Sequence, residues 1–397
     1  MNAENRTANA GDAPACEGVF AADARGNPTQ PLDLILYVAT LEGGGAERVF
    51  VRLANHYAAE GRRVALLVNR PEGPIAALIA PDVQVIPVGG ANAVRSVPKL
   101  VSILKRYRPN AVICGLTTAN IAMVMAAKIV ELTQGTRPRL MVCERNEFTT
   151  ASRRLPWAKR MAFRAMVRAL YPLADKVSGN ATGVVEDISR VARLAPDTVC
   201  VIPNPAPEAS DILTARDSAA PHPWLTENRP VAIAMGRLVP QKDYPTMLEA
   251  LARTDASLRL IVLGVGPEKA ALEALATRLG VAERVAFVGY QYNRFDYLAR
   301  GDQFVLSSVT EGFPNALIEA ISFGLPCVST DCAGGGPRDI LGARFPEALV
   351  PVGDSAAMAR AMGAALAAPP SSERISDLAA QYSLPQIADR FVAEVMQ

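Results

Sequence analysis

The chain has 397 residues, half of them apolar and a fifth charged, with a formal net charge of +2. This length exceeds one ordinary core and predicts two globular domains, and the composition excludes a disordered chain. No nucleic-acid partner is expected. No apolar run reaches the ~18 residues of a membrane-spanning helix. The six scattered cysteines read as small buried hydrophobes in a reducing cytosol, neither a disulfide frame nor a zinc site.

Residues 1–30 read as a polar, disordered tail with Glu4, Asp12, Glu17 and Asp23, and not as a signal peptide. Leu32–Ala39 is a continuous apolar run that suits a parallel strand buried on both faces. Gly43-Gly44-Gly45 follows, then a helical pattern to Gly61 and a strand over Val64–Val68. This unit is Rossmann-like, and its glycines let backbone approach a phosphate. It lacks G-x-G-x-x-G, and Asn69-Arg70 stands where a ribose-binding acid is expected, which argues against a dehydrogenase. Strand and helix patterns then alternate through Val83–Val88, Lys99–Tyr107, Ala111–Cys114, Ile121–Leu132 and Leu140–Cys143. Residues 153–170 hold Arg153, Arg154, Lys159, Arg160, Arg164 and Arg168 and no acid, interleaved with Trp157, Met161, Phe163, Met166 and Leu170. That pattern predicts a basic amphipathic helix for an anionic membrane surface. Prolines from Pro203 to Pro223 mark the connection between domains.

The alternation restarts at Val231–Met235, followed by the loop G-R-L-V-P-Q-K-D-Y-P with Arg237 and Lys242. Two cations beside a strand's carboxyl end can neutralise a diphosphate. Asp243 is expected to cap the next helix, with Pro245 in its first turn. Leu258–Leu263 is the next strand, with Gly264 opening its loop, and Val285–Gly289 leads to Tyr290. After Phe304–Leu306 comes T-E-G-F-P-N-A-L-I-E-A-I-S-F-G, residues 310–324. This predicts a strand, a loop with Glu311, and a helix opening near Phe313, Pro314, Asn315 and Ala316, with Pro314 in its first turn. Free amides and the helix dipole make that opening an anion site. Residues 1–205 carry 25 Lys and Arg against 17 Asp and Glu, and residues 206–397 carry 16 against 22. A basic half and an acidic half suggest different partners for each.

The stretch from Glu311 to Glu319 resembles the Glu-x7-Glu element of retaining, GT-B-fold glycosyltransferases of family four. G-G-G-A-E-R-V resembles the family's first loop, with Gly44 and Gly45 against the donor diphosphate. C-E-R-N-E-F, residues 143–148, resembles the loop of members that act on lipid-linked glycans, and D-C-A-G-G-G-P-R-D-I-L resembles a later motif, with Asp339 for the usual Glu. The family's His after the strand at Ala111–Cys114 is absent, since His56 and His222 are the chain's two histidines.

The resemblance covers roughly residues 32–397 and implies an α/β, GT-B fold. An acceptor-side Rossmann-like domain over 31–205 would face a nucleotide-sugar domain over 206–382, with a helix over 383–397 crossing back. It implies transfer of a sugar, with retention, from a nucleotide-sugar, expected to be a UDP-sugar, to a hydroxyl of a polyprenyl-diphosphate-linked glycan at the inner face of the cell membrane. Gly236, Arg237, Lys242, Gly264, Tyr290 and residues 313–316 would line the donor, with Glu319 on the ribose and Glu311 facing the sugar. Thr118, Asn120, Glu144, Arg145 and Asn146 would serve the acceptor side. Neither a metal nor another cofactor is expected. A GT-B nucleotide-sugar 2-epimerase and a catalytically degenerate scaffold stand as alternatives.

Overall fold

The computed structural model describes residues 30–89, 93–153 and 155–397. The tail up to residue 29 and Arg154 of the basic segment lie outside the described residues. The first seven strands are β1 (Leu34–Val38), β2 (Val64–Val68), β3 (Gln84–Pro87), β4 (Ala111–Gly115), β5 (Arg139–Glu144), β6 (Lys176–Gly179) and β7 (Val199–Val201). They form one parallel sheet in the order β3-β2-β1-β4-β5-β6-β7. The remaining six are β8 (Val231–Met235), β9 (Arg259–Leu263), β10 (Val285–Gly289), β11 (Gln303–Leu306), β12 (Cys327–Thr330) and β13 (Leu349–Val350). They form a second parallel sheet in the order β10-β9-β8-β11-β12-β13.

The central strands are apolar throughout because helices cover both faces: every residue of β1, β2, β4 and β8 is buried. The strand order reverses between β1 and β4, and again between β8 and β11, which opens a crevice at the carboxyl ends of the strands. The expected returning helix is Leu384–Met396. Its Ile387, Ala388, Phe391 and Val395 are buried with Leu36, Ile113 and Met141 of the first sheet. The Tyr57 hydroxyl donates to the Ala388 carbonyl at 2.8 Å. The chain therefore has the two-domain α/β architecture of the GT-B fold.

Some local expectations are corrected. The proline-rich connection contains a helix, Ala209–Asp217. Pro314 precedes helix Asn315–Ser322 as its N-cap instead of entering the first turn. Asp243 stands ahead of helix Tyr244–Ala252 with φ +44°, and its carboxylate accepts from the Thr246 hydroxyl at 2.7 Å, not from a backbone N–H.

Candidate active site

The carboxyl ends of the two sheets enclose a cleft of about 490 Å³. Gly44, Gly45, Arg145 and Asn146 line it from the first half; Gly236, Arg237, Lys242, Glu311, Phe313–Ala316 and Glu319 line it from the second. The first loop is set by Glu47, whose carboxylate accepts from the Gly44 N–H at 2.5 Å and from the Thr40 hydroxyl. A β-carbon on Gly45 would stand 2.5 Å from the Asn315 side-chain Nδ2, so a larger residue there would displace the Asn315 amide.

Lys242 ends the short turn Pro240–Lys242 and reaches across to Glu311. Its ammonium pairs with Glu311 Oε1, which also accepts from the Ser308 hydroxyl at 2.7 Å. Glu311 is only 9% exposed, and its N–H donates to the Ala333 carbonyl at 2.8 Å. The G-G-G of residues 334–336 passes directly beneath this turn. A β-carbon on Gly336 would lie 1.7 Å from the Gly312 carbonyl oxygen, and Gly334 adopts φ +90°. Helix Asn315–Ser322 opens at the cleft, where Asn315 and Ala316 line the wall, while the Leu317 N–H donates to the Pro314 carbonyl at 3.0 Å.

Glu319 sits in the fifth position of that helix and is gripped by Arg294. The Arg294 Nε donates to Oε2 at 3.0 Å and its Nη2 to Oε1 at 2.9 Å. Sequence reasoning missed Arg294; an arginine beside aromatics just past a strand's carboxyl end was the available signal. It also missed Gln241, whose amide donates to the Thr310 carbonyl at 3.0 Å, and the cleft residues Leu116, Asn180 and Asn204. Leu116 holds φ +77°, a left-handed conformation uncommon for a side-chain-bearing residue. Polar links join the halves. Arg145 donates to Asn204 at 2.7 Å and Asn204 to Asn315 at 2.6 Å. Arg48 donates to the Tyr290 hydroxyl at 3.3 Å, and the Thr182 N–H donates to Asp339 at 2.6 Å.

Other predicted residues sit elsewhere. Glu144 and Asn120 are buried and bonded to each other, away from the cleft lining, because polar partners behind the strand end satisfy them. Glu144 accepts from Thr117 at 2.9 Å, from Asn120 at 3.2 Å and from the Tyr171 hydroxyl. Burial pushes its pKa up to about 7 despite those bonds. Thr118 is exposed on helix Thr117–Gln134 and turned away while Thr117 makes the contact. Gly264 packs behind Gly236, whose carbonyl oxygen would be 1.9 Å from an added β-carbon. Tyr290 is half-exposed and meets Tyr292 edge-on at 5.0 Å.

A "Glycosyltransferase Family 4" profile matches residues 43–209 and a "Glycosyl transferases group 1" profile matches residues 219–382. A Campylobacter jejuni protein named N-acetylgalactosamine-N,N'-diacetylbacillosaminyl-diphospho-undecaprenol 4-alpha-N-acetylgalactosaminyltransferase is 30% identical over 212 residues, 52% of this chain and 55% of that one. The lipopolysaccharide core biosynthesis glycosyltransferase LpsE of Rhizobium meliloti is 35% identical over 168 residues, 41% of this chain and 48% of its own. The chain thus spans about half the length of these curated relatives. Among solved structures, Anabaena HepE in complex with UDP superposes with a TM-score of 0.73 over 91% of this chain and 99% of its own, at 18% identity, a likeness of fold. The two profiles cover adjoining halves of the molecule, and the chain belongs to the family-4, group 1 glycosyltransferases.

Proposed function

We propose that this chain transfers a sugar, with retention, from a nucleotide-sugar to a hydroxyl of a lipid-linked glycan. One observation carries the reading: Arg237, Lys242, Glu311, Glu319 and the opening of helix Asn315–Ser322 at Asn315 and Ala316 converge on one cleft. In this reading Arg237, Lys242 and the amides near Phe313–Ala316 take the donor diphosphate. Glu319 takes the ribose hydroxyls, and Glu311 faces the sugar and stabilises positive charge at the anomeric carbon. The bond from that carbon to the phosphate oxygen breaks, and its electron pair leaves with the nucleoside diphosphate. The acceptor oxygen forms the new bond on the same face, and its proton passes to the departing phosphate. Protein cations neutralise the leaving group in this proposal, without a metal. Among the described residues no group of three His, Cys, Asp or Glu is placed to hold one.

The acceptor is proposed from the names of the relatives, one for a diphospho-undecaprenol-linked substrate and one for lipopolysaccharide core. Helix Trp157–Leu170 supports work at an anionic membrane surface: Trp157 is 74% exposed, and Lys159, Arg160, Arg164 and Arg168 are exposed with it, whereas Phe163, Met166 and Leu170, expected on the membrane-facing side, pack partly buried against the core. No helix among the described residues is long and apolar enough to cross a membrane. The decisive experiment offers UDP-, GDP- and ADP-sugars with and without a polyprenyl-diphosphate glycan, starting with UDP-sugars. The expected result is acceptor-dependent release of nucleoside diphosphate, an α-linked product from an α-linked donor, and activity that survives EDTA. Epimerisation without acceptor, or nucleotide binding without turnover, overturns the reading. Anionic but not neutral vesicles are expected to co-sediment the protein at low salt. Changing Arg160, Arg164 and Arg168 to Glu should abolish that, and equal binding by the triple variant would refute membrane docking.

A further inference from the structure

Arg294 belongs to no motif that carried the family resemblance, yet it is built into the cleft wall. It opens the short helix Arg294–Leu298 just beyond β10, and its side chain runs along the cleft to the acid of the neighbouring helix. The Nε and Nη2 edge of its guanidinium meets both oxygens of Glu319 in a two-pronged pair, at 3.0 and 2.9 Å. This is the geometry in which an arginine fixes the plane of a carboxylate and not merely its charge. The arginine is itself held in place. Its guanidinium lies 4.2 Å from the centre of the Phe295 ring, and Phe295 packs on Phe323 with centroids 5.4 Å apart. Phe323 is the C-cap of helix Asn315–Ser322, so Arg294 is anchored to the middle and to the end of the helix that carries Glu319.

A glutamate has three side-chain torsions, and fixing them costs conformational freedom. Another cation whose charge acts on Glu319 is Arg52, and its guanidinium is committed to the Pro205 and Ala206 carbonyls. Arg294 therefore decides the orientation of the carboxylate before any ligand arrives. A carboxylate has about four acceptor directions. The fork occupies the two on its own side and leaves two for a vicinal diol.

We propose that Arg294 is a positioning residue for the donor's ribose: its fork locks the Glu319 carboxylate so that the remaining lone pairs meet the 2′- and 3′-hydroxyls together. The inference rests on the assignment of Glu319 to the ribose. Without the fork the acid is still present and still charged, but it samples several rotamers and holds a cis-diol poorly. The loss falls on ground-state and transition-state binding alike, so it raises KM and leaves kcat nearly unchanged.

The test measures dissociation constants for UDP, GDP and ADP and for their 2′,3′-dideoxy analogues, in the wild type and in R294Q, R294K, E319A and R294Q/E319A. Thermal unfolding of each variant checks that it is folded. The wild type is expected to prefer its best ribonucleotide over the dideoxy form by roughly ten- to a hundredfold. R294Q and E319A should each bring that ratio to within about threefold, and the double variant should be no worse than either single. R294K keeps the charge but not the fork and should recover only part of the ratio, which a role in overall stability would not produce. If E319A loses the ratio and R294Q keeps it, the positioning role is wrong while the ribose assignment stands. If E319A itself keeps the wild-type ratio, the ribose assignment falls and this inference falls with it.

Discussion

Glu144 and Glu311 both lie at the carboxyl side of a sheet, one at the end of β5 and the other in the loop after β11, yet the fold treats them oppositely. Glu144 closes β5 and turns inward onto Tyr171, Thr117 and Asn120. Among the described residues no cation hydrogen-bonds to it, and burial pushes its pKa to about 7. Glu311 follows β11 and turns toward the cleft, where Lys242 and Ser308 meet it. A buried carboxylate can be tolerated by keeping its proton or by taking a cation. The first solution ties helix Thr117–Gln134 to the end of the sheet and turns the carboxyl onto protein partners and away from the cleft lining. The second leaves an ion pair that a phosphate can enter, since Lys242 can exchange one oxygen anion for another. The comparison teaches that position at a strand end marks where chemistry is possible, and the partners decide whether it is used.

The largest expected effect tests the cleft-facing member. Glu311→Gln keeps an acceptor for Ser308 but removes the charge, and kcat should fall by roughly a hundred- to a thousandfold, the range seen when one preorganised electrostatic contact is lost. A drop of less than threefold would place Glu311 with Glu144 as a structural acid.

Next comes Glu144→Gln. The folded pKa of Glu144 lies above its unfolded value of about 4.5, so the folded state keeps a proton that the unfolded chain releases. Stability from this group is full below pH 4.5 and is lost as pH rises through about 7. The loss amounts to up to about 3 kcal/mol. Urea midpoints at pH 5 and pH 8 should therefore differ more in the wild type than in the variant. Parallel pH dependence in the two proteins would show that Glu144 titrates as an ordinary acid.

Lys242→Ala should cost roughly 1.5–3 kcal/mol of transition-state binding, one to two orders of magnitude in turnover, with weaker nucleotide affinity. Unchanged rate and unchanged affinity would refute a role on the diphosphate. The smallest effect belongs to Asp339→Asn, which weakens an exposed bond to the Thr182 N–H at the start of helix Thr182–Ala192. A charge at a helix N-terminus contributes about 0.3–1 kcal/mol, so the denaturation midpoint should shift only slightly. A large shift would mean that the two halves depend on that contact far more than its exposure indicates.

The sheets were legible where strands are wholly apolar, as in β1, β2 and β8. The short β6 and β7, K-V-S-G and V-C-V, carry too little pattern to be read alone and were not predicted as strands. Helix Ala209–Asp217 was hidden by the prolines on either side of it. In the site, the loop motifs located Lys242, Glu311 and Glu319 in the sequence. Spacing could not tell that Glu144 and Asn120 turn inward, because a polar residue at a strand end reads the same whether it meets a ligand or a buried tyrosine. Arg294 had only a weak local signal, the aromatics beside it, because its partner, Glu319, lies 25 positions on, in another βα unit.

Helix Leu384–Met396 completes the core of the first sheet, but it is separated from β7 by about 180 residues. At the ~5–20 residues per second of protein synthesis, that interval lasts roughly 10–40 s. Throughout it the face of the first sheet that receives Ile387 and Phe391 remains uncovered on the nascent chain. The first half is therefore made early and finished late.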